Sequence, residues 1–437
     1  MKSLINTAVL VLFLCLLKNA SSQELLSPEA AISIGLANNF DIRLVRQDAA
    51  IASNNFSPGN AGFLPELNLT ATQNYSLTDS KQEFLSGQVN DRKGAAADAL
   101  NAGLQLNWTI FDGMRMFVNY NRLRELEQKS ELMVLLTVES SVQQILSTYY
   151  SLISLNQKIV VVEKSIAIDN ERLKLQTDML DIGSGSRLEM LQARVDLNAD
   201  SAILLNLQNQ LSQAQTTLNQ LLARPADTRF LVQDTFALRN DLLPDQLTQK
   251  MLAQNTSLLL SRRDEHLAAL VLREIKGRQA PSLGLNVGYN FVNQHSESGF
   301  LAANRSLGLT YGIQANMNLF DGFNNLRERR NAAIMIESGR IRTESLENEL
   351  TGELQKNYDS YQNKLRLLAM ETQNVRSSAE NLSISGERFR LGDLSGIEFR
   401  EAQLNHMTAQ GRLLQVLYEA KLLEINLLQL SGELVLN

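Results

Sequence analysis

The most reactive residues this 437-residue chain offers are three histidines, one cysteine and a Gly-Ser-Gly run. His266, His295 and His406 lie far apart, and none has a histidine or cysteine partner at helical ligand spacing, so no metal site is expected. Gly183-Ser184-Gly185 has no Walker lysine and follows a helical run rather than a strand, which makes it a helix end and not a phosphate cradle. Cys15 falls inside the opening stretch MKSLINTAVLVLFLCLLKNASSQ, where a basic start, an apolar run from Ala8 to Leu17 and small residues Ala20 and Ser22 ahead of Gln23 read as a signal peptide over residues 1–22. Lipidation at Cys15 would need a small residue where Leu14 stands. Once the leader is cut the chain has no thiol, hence neither disulfides nor thiolate metal ligands. No catalytic constellation and no cofactor are expected.

What remains is organisation. The sequence NWTIFDGM at 107–114 returns as NMNLFDGF at 316–323. The offset that superimposes Phe111-Asp112-Gly113 on Phe320-Asp321-Gly322 also brings Gly183 onto Gly392, Ser186 onto Ser395, Glu189 onto Glu398, Ala193 onto Ala402 and Leu221 onto Leu430. Upstream, Pro28 pairs with Pro244, Asn39 with Asn255, Arg46 with Arg262, Asp48 with Asp264 and Pro65 with Pro281, at an offset seven residues larger. The chain is a tandem duplication: a first repeat over 23–225 and a second over 226–437. The length difference falls between Pro65 and Phe111, in the polar stretch DSKQEFLSGQVNDRKG, whose shorter counterpart is NQHSESGFLAANR; both are expected to be loops.

Around each loop the residues alternate with period two. Leu67, Leu69, Ala71, Tyr75 and Leu77 oppose Asn68, Thr70, Thr72, Asn74 and Ser76, and a second run from Leu100 to Ile110 alternates likewise. The second repeat has matching runs at 283–291 and 307–319. The pattern predicts four strands of about ten residues. A soluble sheet with one buried face also alternates, but its solvent face usually carries Lys and Glu. Here that face is Asn, Gln, Thr, Ser and Gly, as an outer-membrane barrel requires. Trp108, Tyr75, Tyr289 and Tyr311 are then expected on the lipid-facing or interfacial side.

After each FDG the period becomes helical. Met114 to Ile182 contains neither Pro nor Gly, and a helix of that length reaches roughly 100 Å. Further helices are expected over 188–223 and 397–430, with shorter ones starting at Ser27-Pro28-Glu29 and Leu243-Pro244-Asp245. Each repeat reads helix, strand, strand, very long helix, turn, long helix. FDG is the strand–helix hinge: Asp112 and Asp321 can accept from the free N–H groups of the first helical turn, while Gly113 and Gly322 let the chain bend.

These residues resemble the outer-membrane efflux proteins of the TolC type. The resemblance covers Leu26 to Leu434 and rests on LFDG, the tip patterns IGSGSRLEMLQA and LGDLSGIEFREA, LNQLL and the duplication itself. Asn318 and Thr109 stand where the family usually has Pro before LFDG. Four strands cannot close a barrel; two chains would give eight and three would give twelve with room for a pore, and the resemblance implies three. The implied fold is mixed α and β: a homotrimeric twelve-stranded transmembrane β-barrel continued by a long α-helical coiled-coil tunnel. The implied function is an exit duct in the Gram-negative outer membrane, reaching into the periplasm and fed by a periplasmic membrane-fusion adaptor and an inner-membrane transporter of an efflux or type I secretion system.

The resemblance also implies site residues. Adaptor hairpins would dock at the tips, Gly183, Ser186, Leu188 and Gly392, Ser395, Ile397, although both glycines also serve simply to end helices. Glu398 and Glu401 share a helix face and fall where TolC-type channels carry the acidic pair of the periplasmic gate, with Glu189 flanking it; a solvated pair at a helix start is the plain alternative. Phe389 and Leu394 replace the tyrosine and arginine that latch the mouth of the model channel, so closure is expected to use other contacts, with Arg390 or Arg187 as candidates. The formal charge of −6 speaks against nucleic acid as a partner. A secreted coiled-coil scaffold without a conduit would explain the helical runs but leaves the polar-faced strands without work.

Overall fold

The computed structural model describes residues 24–298 and 301–434. The leader, including Cys15, lies outside the described residues. After a short strand β1 (Glu24–Leu26) come helices α1 (Pro28–Asn38), α2 (Phe40–Asn55) and α3 (Pro58–Ala61), strands β2 (Glu66–Glu83) and β3 (Val89–Phe111), and helices α4 (Arg115–Asp181) and α5 (Arg187–Leu221). The second round is β4 (Phe230–Val232), α6 (Pro244–Gln254), α7 (Thr256–Gly277), β5 (Ser282–Ser296), β6 (Ala303–Asn316), α8 (Asn324–Arg390) and α9 (Gly396–Leu430). Helices α4 and α8 each have 67 residues, and α5 and α9 each have 35. The duplication is thus visible in the lengths of the elements.

Contacts divide the chain into two compact units that cut across the repeats. One takes the described residues up to Arg46, Met133–Leu259 and the chain from Ser345 on; the other takes Gln47–Leu132 and Leu260–Glu344. The second unit holds the antiparallel sheet, in the order β2-β3-β5-β6. Its strands run 18, 23, 15 and 14 residues, longer than the apolar alternation alone predicts. Main-chain pairing continues past the apolar band, through a bulge at Thr78/Ser80, so most of the expected first loop is a polar extension of the hairpin. No helix among the described residues is long and apolar enough to cross a membrane.

The first unit is helical, with the pair β1–β4 laid across it in parallel. One cluster gathers Leu26, Ile145, Tyr149, Leu152, Ile153, Leu218 and Leu222, and another gathers Met251, Leu258, Leu354, Tyr361 and Leu427. Tyr149 donates to the Leu26 carbonyl at 2.7 Å and accepts from the Gln233 amide at 3.0 Å, so one buried hydroxyl satisfies both short strands.

Where one helix was expected at the start of each repeat, the structure breaks it at Asn39 and Asn255, giving α1 and α2, followed by the short α3, in the first repeat and α6 and α7 in the second. Asn39 Oδ1 accepts from the amides of Asp41 and Ile42, and Asn255 Oδ1 accepts from Leu258. Their Nδ2 groups donate to the carbonyls of Leu221 and Leu430, at 2.9 and 3.0 Å. Each asparagine caps one helix start and one helix end, and both it and its partner leucine belong to the matched pairs of the repeat. Asn39→Ala and Asn255→Ala should each lower stability by about 1–2 kcal/mol, read as a drop in the urea midpoint; an unchanged midpoint would remove the capping role.

Candidate functional site

Pairing puts Leu69, Leu104, Tyr289 and Leu309 in one row across the sheet and Asn68, Gln105, Gly288 and Thr310 in the adjacent one. One face is therefore apolar and the other small and polar. Tyr75, Trp108, Tyr289 and Tyr311 all fall on the apolar face, and the Trp108 indole donates to the Phe63 carbonyl at 2.9 Å. His295 faces Asp98 across β3 and β5, and His406 shares a hydrogen bond with Ser378.

At each FDG the aspartate accepts from an amide of the following helix: Met116 to Asp112 at 3.0 Å and Asn325 to Asp321 at 2.7 Å. Gly113 and Gly322 have φ of 77° and 68°, and the next residues, Met114 and Phe323, also have positive φ. Two successive left-handed residues lead into each helix; β3 runs up to Phe111 at the first copy, whereas β6 ends at Asn316, four residues before Phe320 of the second. A β-carbon on Gly113 would stand 2.2 Å from the Gly277 carbonyl, whereas at Gly322 the space is open and only the φ calls for glycine.

The helix tips repeat each other. Gly183 and Gly392 have φ of 80° and 79° and close the ends of α4 and α8 with matching bonds, Ser184 N to Met179 O and Asp393 N to Arg388 O, both 2.9 Å. Ser186 and Ser395 cap α5 and α9. In α9 the cap is reciprocal: Ser395 Oγ accepts from the Glu398 amide, and Glu398 Oε2 accepts from the Ser395 amide at 3.0 Å and its hydroxyl at 2.7 Å. These bonds from Ser395 hold the Glu398 carboxyl below the usual carboxylate range. Leu188 and Ile397 are 65 % and 66 % exposed, so hydrophobic side chains occupy the two helix starts in contact with solvent. The two tips meet: Ser186, Leu188, Glu189, Ser395, Ile397 and Glu401 line one groove of about 770 Å³. Gly183, Gly392 and Glu398 do not line it.

Arg172, Gln176 and Arg400 also line that groove, and behind two of them lies a feature the sequence did not announce. Arg400 on α9 donates to Asp200 on α5 at 2.6 and 3.0 Å and to both oxygens of Asp169 on α4 at 3.3 Å. Gln403 donates to Asp169 and Ser165, Ser165 donates to Asp200, and Arg172 pairs with Asp196 and Asp169. Asp169, Asp200 and Gln403 are at most 2 % exposed. Two guanidinium groups face three carboxylates. Burial pushes the Asp169 carboxyl up to about 6, against the pull of Arg400. Burial also acts on Asp200, but its bonds from Arg400 and Ser165 prevail and keep it below the ordinary value. Arg187 and Arg390 take no part in this network, in which Arg172 and Arg400 join the three helices.

An antiparallel sheet with one apolar and one uncharged polar face, in a chain that also carries two helices of 67 residues, has the make-up of an outer-membrane channel. The chain belongs to the outer membrane efflux protein family, whose model matches residues 31–224 and again 247–433, once in each repeat. It is 19% identical over 446 aligned residues to the outer membrane efflux protein BepC of Brucella suis biovar 1 (strain 1330), covering 99% of this chain and 91% of that one. It is 21% identical to the proteases secretion protein PrtF of Dickeya chrysanthemi, covering 94% and 90%. Among solved structures, the Campylobacter jejuni CmeC outer membrane channel superimposes with a TM-score of 0.80 at 16% identity, over 93% of this chain and 86% of the other. The protein is an outer-membrane duct reaching into the periplasm, of the kind used in tripartite efflux and type I secretion.

Proposed function

We propose that three copies of this chain close a twelve-stranded barrel and that the resulting duct receives its cargo from a periplasmic adaptor and an inner-membrane transporter. The observation that carries this is the open four-stranded sheet: β2 and β6 are unpaired edges within one chain, and exposed edges of this length call for a partner strand. Each neighbour would supply one. The mass of the detergent-extracted protein should be that of three chains; a monomer that forms stable pores in bilayers would overturn the assembly.

The adaptor docks in the groove between the tips. Its walls offer apolar Leu188, Leu191, Val195, Ile397 and Leu404 beside polar Gln176 and Arg172. An inserted helix with an apolar side chain and a polar neighbour complements both. Leu188→Arg with Ile397→Arg leaves both serine caps intact. That double variant should abolish export while the trimer persists, measured as efflux of a dye alongside the oligomer mass; undiminished export would rule the groove out.

The gate is formed by Glu398 and Glu401, with Glu189 beside them, at the converging starts of α9. The Asp169–Asp200–Arg400 cluster holds α9 against α4 and α5 in the closed state.

A further inference from the structure

The polar face of the sheet carries no charge over residues 67–78, 99–111, 282–294 and 306–316. Charged residues of the strands lie beyond that band, at Glu66 or from Asp79 to Lys93, or else on the apolar face, where Asp98 pairs with His295 and Arg305 lies over the Phe291 ring. The interior of the polar face is built from amides set against glycines. Register places Gly103 opposite Asn290 and Gln105 opposite Gly288. A β-carbon on Gly103 would fall 2.4 Å from Asn290 Oδ1 and 3.1 Å from the Tyr289 carbonyl. On Gly288 it would fall 2.7 Å from Gln105 Oε1 and 2.9 Å from Thr310 Oγ1. Each amide thus lies down over the glycine of the neighbouring strand instead of standing away from the sheet. Asn290 reaches on to Thr310 at 3.4 Å, and Gln105 to Asn107 at 3.4 Å, so the amides meet part of their hydrogen-bonding demand within the wall.

Glycine weakens a strand and supplies nothing to pack, so its presence inside a regular ladder calls for a compensating reason. At Gly103 and Gly288 the reason is the amide lying on top. At Gly308 and Gly312, on β6, nothing lies within 4 Å of where a β-carbon would be, so no neighbour in the chain requires glycine. Their common effect is a low wall. Resting on the reading that this face lines the barrel, we propose that Gly103 and Gly288, with the amides folded over them, make the exit an uncharged bore that passes solutes of either sign and whose width is set by the low wall these glycines allow. Selection by charge is left to the acidic helix tips. At Thr72, six residues from Glu66 and seven from Asp79, a strand rise of about 3.3 Å per residue puts both charges beyond the Debye length of about 8 Å at physiological ionic strength.

The test uses the full-length trimer in cells, with a cysteine introduced at Thr72 on the polar face and, in a second variant, at Leu69 on the apolar face. Cationic and anionic methanethiosulfonate reagents of equal size should modify Thr72→Cys at the same rate once normalised to a free thiol. A wall of one sign would separate the two rates by about tenfold or more, and that result would overturn the neutral bore. Adding Gly103→Val or Gly288→Val should slow a bulky neutral maleimide several-fold while leaving the small reagents unchanged. Gly308→Leu, which enters open space, should do the same should the first two variants fail to assemble. If none of the variants that assemble slows the bulky reagent, the glycines do not set the bore. If Thr72→Cys reacts no faster than Leu69→Cys, the polar face does not line the lumen, and the barrel reading beneath the proposal fails with it.

Discussion

Arg400→Met is expected to detach the start of α9 from α4 and α5 and leave the channel leaky. The side chain it removes satisfies Asp200 through two bonds and Asp169 through two more, and both carboxylates are buried. Breaking a buried pair by deleting one partner typically costs about 3–5 kcal/mol, because the other charge stays behind unpaired. Part of that loss is recovered if Asp169 takes up a proton. The urea midpoint should fall and single-channel conductance should rise; Arg400→Lys, which keeps the charge but not the fork, should fall between. An Arg400→Met protein with the wild-type midpoint would show that the cluster holds nothing.

The same cluster gives the packing of α9 against α4 and α5 a pH dependence whose sign can be worked out. Asp169 keeps its proton up to about pH 6 in the packed cluster, whereas a free aspartate loses it near about 3.9. Protons therefore favour the clamped form between those values, and the contribution is lost as pH rises through about 6. Asp200 works in the other direction, since its carboxyl is held low by Arg400 and Ser165; protonating it in stronger acid breaks the pair. Closure should be tightest in mild acid, and Asp169→Asn should flatten the change in conductance around pH 6.

Much of this architecture was legible in the sequence, for reasons that differ by element. The long helices end within a residue or two of where pattern puts them, because Gly183 and Gly392 stop them and neither proline nor glycine interrupts α4. Alternation reports only the apolar band, so it falls short where hydrogen bonding continues past Thr78, and in β6 it overreaches to Leu319 although pairing ends at Asn316. Asn39 and Asn255 stood out as matched positions, but not as caps. Their partner carbonyls, on Leu221 and Leu430, lie 182 and 175 residues away. Strands β1 and β4 have three residues each, too few for any period to show. The ion cluster was missed because charges on a helix are ordinarily its solvent face. A signal did exist: Val162, Ser165, Asp169, Arg172 and Gln176 continue at spacings of three and four, and all are buried. A core seam that turns polar without changing period marks buried partners on another helix.

Glu398→Gln with Glu401→Gln should bring the cation preference of the open channel close to parity and weaken block by multivalent cations. Glutamine is chosen over alanine because Glu398 is half of the capping box with Ser395, and Gln can also fill that place. The charge is lost while the start of α9 keeps its geometry. An alanine variant would confound loss of charge with fraying of the helix start. Glu398 lies in the first turn of the helix, where the bonds from Ser395 hold its carboxyl below the usual carboxylate range, and Glu401 follows three residues on. In three chains six such carboxylates would converge, and a ring of this kind concentrates cations and excludes anions at close range. Glu401 lines the groove between the tips whereas Glu398 turns back to its own cap, so the single variant Glu401→Gln should account for more of the change than Glu398→Gln. Reversal potentials in a salt gradient, with trivalent-cation titration, read both effects. If the double variant keeps the wild-type selectivity, these carboxylates are ordinary helix-start residues and the constriction is built elsewhere.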